Sequence, residues 1–405
     1  MKVKIEKGLA KGSIKAPPSK SMAHRLLICA GLAEGESTIK GISHCEDVLA
    51  TLDCMNSLGI KTEINGDDVK VLGKDFRNIK ANGTLCCRES GSTLRFLLPT
   101  AMLSNNPVTF TGSERLLSRP MTVYEDLAKE KGVRYESDGK SITVSGKLKA
   151  GKYKVVGNIS SQFISGLIFA LPLCDEDSEI IITPPIESRS YIDLTINAVK
   201  EFGIDCDWSD EYTIKIKGGS RYTPATVTVE GDYSNAAFLD ALNVLGGEVE
   251  VLGLNPQSIQ GDKVYQKYYK TLSLGIPTIH IGDCPDLGPI LFALSAGKQG
   301  GIFSGTKRLK IKESDRAMAM ATELQKFGVS VSVYDDSVVV YPLSRITPTE
   351  ELYGHNDHRI VMALAVLLTT CGGVIDGAEA VNKSYPEFFN NLRELGIEAI
   401  EYDDQ

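Results

Sequence analysis

The run Pro17-Pro18-Ser19-Lys20-Ser21-Met22-Ala23-His24-Arg25 sets cations and hydroxyls just ahead of an apolar segment, Leu26 to Leu32. Two prolines cannot continue a helix, but Ser19 can cap one. Lys20, Ser21 and Arg25 then fall in the first turns, where free N–H groups and the helix dipole favour an anion. Similar motifs recur. In Glu89-Ser90-Gly91-Ser92-Thr93-Leu94-Arg95 a glycine lets a ligand approach backbone N–H groups. Arg95, one turn into an apolar helix, needs an anionic partner if buried. Arg119-Pro120 follows a loop from Thr111 to Ser118, and Ser160-Ser161-Gln162 reads as a cap. Lys312, Glu313 and Arg316 share the start of a helix running to about Phe327. A carboxylate among cations can trade protons when its pKa is tuned. Asn356-Asp357-His358-Arg359 and Lys383 complete the set.

Taken singly, each motif has an ordinary explanation: a lone Arg is solvated, Ser at a helix start is a cap, a charge run is a solvated face. His355, Asp357 and His358 could suggest a metal, but further ligands are missing nearby and Arg359 repels a cation, so no metal is expected. No Ser-His-Asp triad, Walker loop or GxGxxG motif is visible.

The elements that position these motifs repeat. Six segments read as apolar almost all round: Arg25 to Leu32, Leu94 to Leu103, Phe163 to Leu173, Ala236 to Leu245, Pro289 to Ala296 and Ile360 to Thr369. Helices of this kind are buried. Each follows a polar motif, including Gly231-Asp232-Tyr233-Ser234-Asn235 and Asp283-Cys284-Pro285-Asp286. Between them, amphipathic helices end at Leu58-Gly59-Ile60, Lys131-Gly132-Val133, Phe202-Gly203-Ile204, Leu274-Gly275-Ile276, Phe327-Gly328-Val329 and Leu395-Gly396-Ile397. The glycines recur at roughly 70 residues with one shorter interval, and Gly suits a left-handed helix end. After most junctions two short strands follow, as in Tyr135 to Val144. The pattern predicts six α/β units in two lobes of three, with helix amino ends gathered on shared clefts as an anion trap.

Nine cysteines without disulfide or CxxC spacing read as small core residues in a reducing cytosol. No apolar stretch reaches the roughly 18–20 residues of a membrane span, and Met1 to Lys7 alternates like a strand rather than a signal peptide. A net charge of −8 argues against a nucleic-acid surface but not against a small anionic substrate held by local cations.

In order along the chain, Ser19-Lys20-Ser21-x-x-x-Arg25, Ser90-Gly91-Ser92-x-x-Arg95, Arg119-Pro120, Ser160-Ser161-Gln162, Lys312-Glu313-Ser314-Asp315-Arg316, Asn356-Asp357-His358-Arg359 and Lys383 resemble the 5-enolpyruvylshikimate-3-phosphate synthases, the carboxyvinyltransferases of the shikimate pathway to chorismate and the aromatic amino acids. The resemblance covers essentially the whole chain. It implies two lobes, 1–18 plus 231–405 and 19–230. Each would hold three βαβαββ units, with buried helices pointing toward the interlobe cleft. Phosphoenolpyruvate would be held by Lys20, Gly91, Arg119, Gln162, Arg316, Arg359 and Lys383. Shikimate 3-phosphate would meet Lys20, Ser21, Arg25, Ser160, Ser161, Gln162, Ser188, Tyr191, Asp286 and Lys312. Asp286 would take the proton of the attacking hydroxyl, while Glu313 with Lys20 would handle the proton on the enol carbon. The resemblance implies no metal or organic cofactor, no nucleic acid or membrane, and a cytoplasmic monomer. The chain departs from the commoner pattern at Glu89, Asn235 and Arg308.

Two other readings compete. The sibling transferase acting on UDP-N-acetylglucosamine carries a reactive Cys five residues before its Arg-Pro, where this chain has Glu114. A non-catalytic six-repeat clamp on nucleic acid would need basic helices lining a pore, whereas the amphipathic helices carry acids such as Glu323 and Glu394.

Overall fold

Each apolar segment is a helix, and five of the six start inside the polar motif that precedes them. The computed structural model describes residues 1–343 and 347–403. The six helices are Lys20–Leu32, Gly91–Ala101, Ser161–Ala170, Tyr233–Val244, Gly288–Ala296 and His358–Leu368. Their starts precede the apolar runs because side-chain oxygens cap them. Ser19 accepts from Met22 N–H, Ser90 from Thr93, Ser160 from Gln162, Asp232 from Ser234 and Asn235, and Asp357 from Arg359. Gly288–Ala296 continues the turn Pro285–Leu287 instead, without a side-chain cap.

Among the described residues the strands form six small sheets, five of four strands and one of two. In a full sheet, the strand after a buried helix pairs with one parallel neighbour and with a hairpin. Gly35–Lys40 runs parallel to Thr226–Thr228 and antiparallel to Asp68–Gly73, which pairs with Lys61–Asn65. The hairpin follows the junction glycine. Gly59, Gly132, Gly203, Gly328 and Gly396 are left-handed, with φ between 67° and 85°. After Gly396 a single strand, Ala399–Tyr402, follows, and Lys2–Ile5 from the other end of the sequence completes that sheet.

Gly275 breaks the pattern. It is not left-handed, and Leu274 and Ile276 beside it are 86% and 65% exposed. The chain passes straight from Tyr265–Leu272 to Thr278–His280, which runs parallel to Gly301–Ser304 in the next sheet. Among the described residues the two-stranded sheet of Lys11–Lys15 and Glu248–Leu252 therefore has no hairpin, and this accounts for the shorter glycine interval.

The chain divides into two compact units, one of Met1–Pro17 with Gly231–Gln405 and one of Pro18–Glu230. Each holds three of the buried helices around its own apolar core. Seven of the nine cysteines are buried and all nine are free; Cys86 is exposed and Cys371 partly so. Among the described residues, no helix is long and apolar enough to cross a membrane.

Candidate active site

In the unit of residues 18–230, the helix starts are tied by side chains. Gln162 Nε2 donates to Ser92 Oγ at 3.0 Å, and Arg95 Nη1 donates to Gln162 Oε1 at 2.7 Å. The Arg95 guanidinium also lies 5.0 Å from the centre of the Phe163 ring. A Cβ added at Gly91 would stand 2.9 Å from Arg119 Nη1 and 3.2 Å from Arg95 Nη1. Two guanidinium groups thus press against one helix start, and only a glycine leaves them that room. Arg119 is buried rather than solvated, and the segment before it contains a short helix, Glu114–Ser118, where a loop was expected. Gln162 does more than belong to a cap: it bridges two helix starts.

Arg25 sits deeper. Its Nε donates to Thr195 Oγ1 at 2.8 Å, Nη1 to the Ser21 carbonyl at 2.7 Å and Nη2 to the Tyr191 carbonyl at 2.9 Å. All three acceptors are neutral. Among the described residues no carboxylate forms an ion pair with it, and burial pushes the guanidinium down to about 10. Tyr191 and the buried Ser188, which has a left-handed backbone at φ 57°, open the helix Arg189–Glu201 around it. Ser160 and Ser161 start the neighbouring helix. Lys20 pairs with Asp47 at 2.7 Å, both largely buried.

Sequence reasoning missed several supports here. Asp47 looks like any acid complementing the first turn of an amphipathic helix, Glu46–Ser57. Thr51 on that helix links His24 Nδ1 at 2.8 Å to Thr93 Oγ1 at 2.7 Å, and Thr93 donates to the cap Ser90 at 2.7 Å. Tyr124 OH donates to the Arg95 carbonyl at 2.7 Å and that of Phe163 at 3.0 Å. Apart from Thr93 and Ser90, these partners lie far apart in sequence and have no spacing signature.

In the unit of residues 1–17 and 231–405, acids and cations interlock. Arg316, fully buried, donates from Nε to Asp357 Oδ2 at 2.9 Å, from Nη1 to Asp286 Oδ1 at 2.7 Å and from Nη2 to Glu313 Oε2 at 2.8 Å. Lys312 Nζ lies 3.3 Å from Asp286 Oδ1, and Arg359 Nη2 lies 3.6 Å from Asp286 Oδ2. Burial works to raise the Asp286 carboxyl, yet Lys312, Arg359 and Arg316 together hold it well below the usual carboxylate range. The run Lys312 to Arg316 is no solvated face. Arg359 Nη1 donates to the Ser234 carbonyl at 3.0 Å, joining the starts of His358–Leu368 and Tyr233–Val244. Lys383 reaches the Asn356 carbonyl at 2.5 Å, beside the same helix start. Glu323, taken from sequence as one more acid on an amphipathic helix, is buried. It accepts from Tyr353 N–H at 2.9 Å and pairs with His355 at 2.7 Å, which pins the segment leading to Asn356 and Asp357.

Buried Arg, part-buried Lys and hydroxyl groups gather around the helix starts of these α/β units, an arrangement suited to holding small polyanions. The chain belongs to the EPSP synthase (3-phosphoshikimate 1-carboxyvinyltransferase) family, whose model matches residues 5–392. Among curated proteins it is 40% identical to the 3-phosphoshikimate 1-carboxyvinyltransferase of Clostridium perfringens strain ATCC 13124, over 98% of each chain. It is 39% identical to that of Clostridium novyi strain NT, over 97% of each. Among solved structures it resembles EPSP synthase from Acinetobacter baumannii, with a TM-score of 0.80 at 21% identity, covering 100% of each chain. The enolpyruvyl transferase NikO from Streptomyces tendae gives a TM-score of 0.79 at 14% identity, covering 98% of each. These two structures share the fold. The family does not favour the UDP-N-acetylglucosamine transferase reading or the clamp.

Proposed function

We infer that this chain transfers the carboxyvinyl group of phosphoenolpyruvate to the 5-hydroxyl of shikimate 3-phosphate, releasing phosphate. The observation that carries this is Arg25: a guanidinium kept in a buried place with neutral acceptors alone fits a substrate phosphate or carboxylate. Lys20, Ser21, Ser160, Ser161, Gln162, Ser188, Tyr191 and Lys312 join it as ligands of shikimate 3-phosphate. Lys20, Gly91, Arg119, Gln162, Arg316, Arg359 and Lys383 take phosphoenolpyruvate. The two substrates repel each other, and cations at low effective dielectric offset that repulsion.

The chemistry runs by addition and elimination. The substrate hydroxyl gives its proton to Asp286 as its oxygen bonds to C2 of phosphoenolpyruvate. The methylene carbon C3 takes a proton from Glu313 or Lys20. The resulting adduct then loses phosphate from C2 and the C3 proton returns to the same pair, which leaves the carboxyvinyl ether. The reading includes a monomer acting in the cytoplasm with no nucleic-acid partner; the net charge of −8 supports the last point.

Phosphate release from phosphoenolpyruvate, with and without shikimate 3-phosphate, tests this. Release that depends on shikimate 3-phosphate is expected. Release that instead depends on UDP-N-acetylglucosamine, or none with either acceptor, overturns it.

A further inference from the structure

Asp262 lies buried in the turn Gly261–Val264, outside every motif that carries the family resemblance. Ser234 Oγ donates to Asp262 Oδ2. The carbonyl of the same Ser234 accepts from Arg359 Nη1 at 3.0 Å. The other terminal nitrogen of that guanidinium stands 3.6 Å from Asp286 Oδ2. Its Nε, also buried, has no hydrogen-bond partner among the described residues. One serine therefore links a buried carboxyl group to the guanidinium assigned above to phosphoenolpyruvate.

We propose that Asp262 is a positioning residue for Arg359: it fixes Ser234, and through it the guanidinium, and it takes up a proton when a carboxylate or phosphate anion binds Arg359. The inference rests on the assignment of Arg359 to phosphoenolpyruvate. The charged and titratable groups facing Asp262 are Asp286 and Cys284 at the turn before Gly288–Ala296, Arg359 on its helix and Asp232 at the cap of Tyr233–Val244. Burial, then repulsion by Asp286, raises the Asp262 carboxyl to about 6 against the pull of Ser234 and Arg359. The group thus changes charge close to neutrality. Ionised, it competes with an incoming anion for Arg359; protonated, it does not. An anion on Arg359 in turn adds negative potential at Asp262 and favours its proton. Anion binding accordingly weakens as pH rises through about 6.

The test is KM for phosphoenolpyruvate at saturating shikimate 3-phosphate from pH 5.5 to 8. Wild type, Asp262→Asn and Ser234→Ala are compared at each pH, so that ionisation of the substrate itself cancels. Asp262→Asn keeps an acceptor for Ser234 and removes the charge. The ratio of wild-type to Asn-variant KM is expected to climb with pH, by at most about tenfold per unit. A ratio that stays constant across the range overturns the proposal, since a merely structural role changes KM by one factor at every pH. Should the Asn variant fail to fold, Ser234→Ala decides. Losing the donor raises the proton affinity of Asp262, so the rise in KM moves to higher pH; an unmoved rise overturns the proposal. Arg359→Lys separates the underlying assignment: an unchanged KM there removes Arg359 from the binding set, whatever Asp262 does.

Discussion

Arg316 Nη1 donates to Asp286 Oδ1 at 2.7 Å, so the proposed base is ion-paired to a proposed ligand of phosphoenolpyruvate. Lys312 and Arg359 approach the same carboxylate. A carboxylate held this far below its usual range is a weak base. Anionic substrate oxygens that share these three cations loosen their hold on Asp286 and make it more basic. Binding and base strength are thereby linked in one cluster.

Asp286→Asn tests the link. It removes the base while keeping a neutral acceptor for Arg316. Loss of a general base costs about 10²–10⁴-fold in kcat. KM for phosphoenolpyruvate should hold or fall, because the cations lose an acid that competes with the substrate. Steady-state kinetics check both; an unchanged kcat with a raised KM would assign Asp286 to binding alone.

Lys312 gives a pH dependence. Burial above all, with help from Arg308 and Arg316, pushes its ammonium down to about 8 despite Asp286. The cation is present below that pH and lost above it. kcat/KM for shikimate 3-phosphate should fall above pH 8, approaching tenfold per unit, and Lys312→Arg should move the fall to higher pH. Stability takes the opposite sign. The unfolded chain holds this proton up to the ordinary value of 10.5, the folded protein only to about 8. The cost of the buried charge is complete below 8 and fades as pH rises toward 10.5. Pairing pH–rate profiles with unfolding midpoints of wild type and Lys312→Met resolves the two signs.

Gly91→Ala separates fit from fold. Gly91 has no left-handed backbone, so alanine suits its helical position. The new methyl group meets Arg119 Nη1 at 2.9 Å, the end of a flexible side chain. The fold should persist with a small change in melting temperature, while Arg119 is pushed from its place. A charge-assisted contact contributes about 1.5–3 kcal/mol, so KM for phosphoenolpyruvate should rise about 10–100-fold. A KM within twofold of wild type would show that Arg119 does not touch the substrate.

Much of this was legible in the residues. The buried helices announce themselves because they are apolar on every side, and their caps because Ser and Asp precede them. The junction glycines mark left-handed helix ends at five of six places. Gly275 misleads, since the same Leu-Gly-Ile letters stand where the hairpin is absent and both flanking side chains face solvent. In the site, the cations were visible by type and order. So were Asp286, Glu313 and Asp357, the acids that pair with Arg316. Other buried acids around the site were not: Asp47, Asp262 and Glu323 sit on helices or turns where a solvated acid would be equally at home. Only tertiary contact buries them.

Lys20 and Asp47 make the sharpest case of that kind. Their 2.7 Å pair is largely buried, so Lys20→Met both deletes a proposed catalytic cation and strands an acid. Breaking a buried pair from one side costs about 3–5 kcal/mol, and partial exposure places this one toward the lower end. Loss of turnover in the single variant therefore has two explanations. The double variant Lys20→Met/Asp47→Asn removes the stranded charge and should regain most of the lost stability. Turnover should not return with it, because the cation that handles the substrate is still missing. Urea midpoints and phosphate-release rates on the four members of the cycle measure both quantities. If activity recovers in step with stability, Lys20 serves the fold, and Glu313 handles the carbon proton alone.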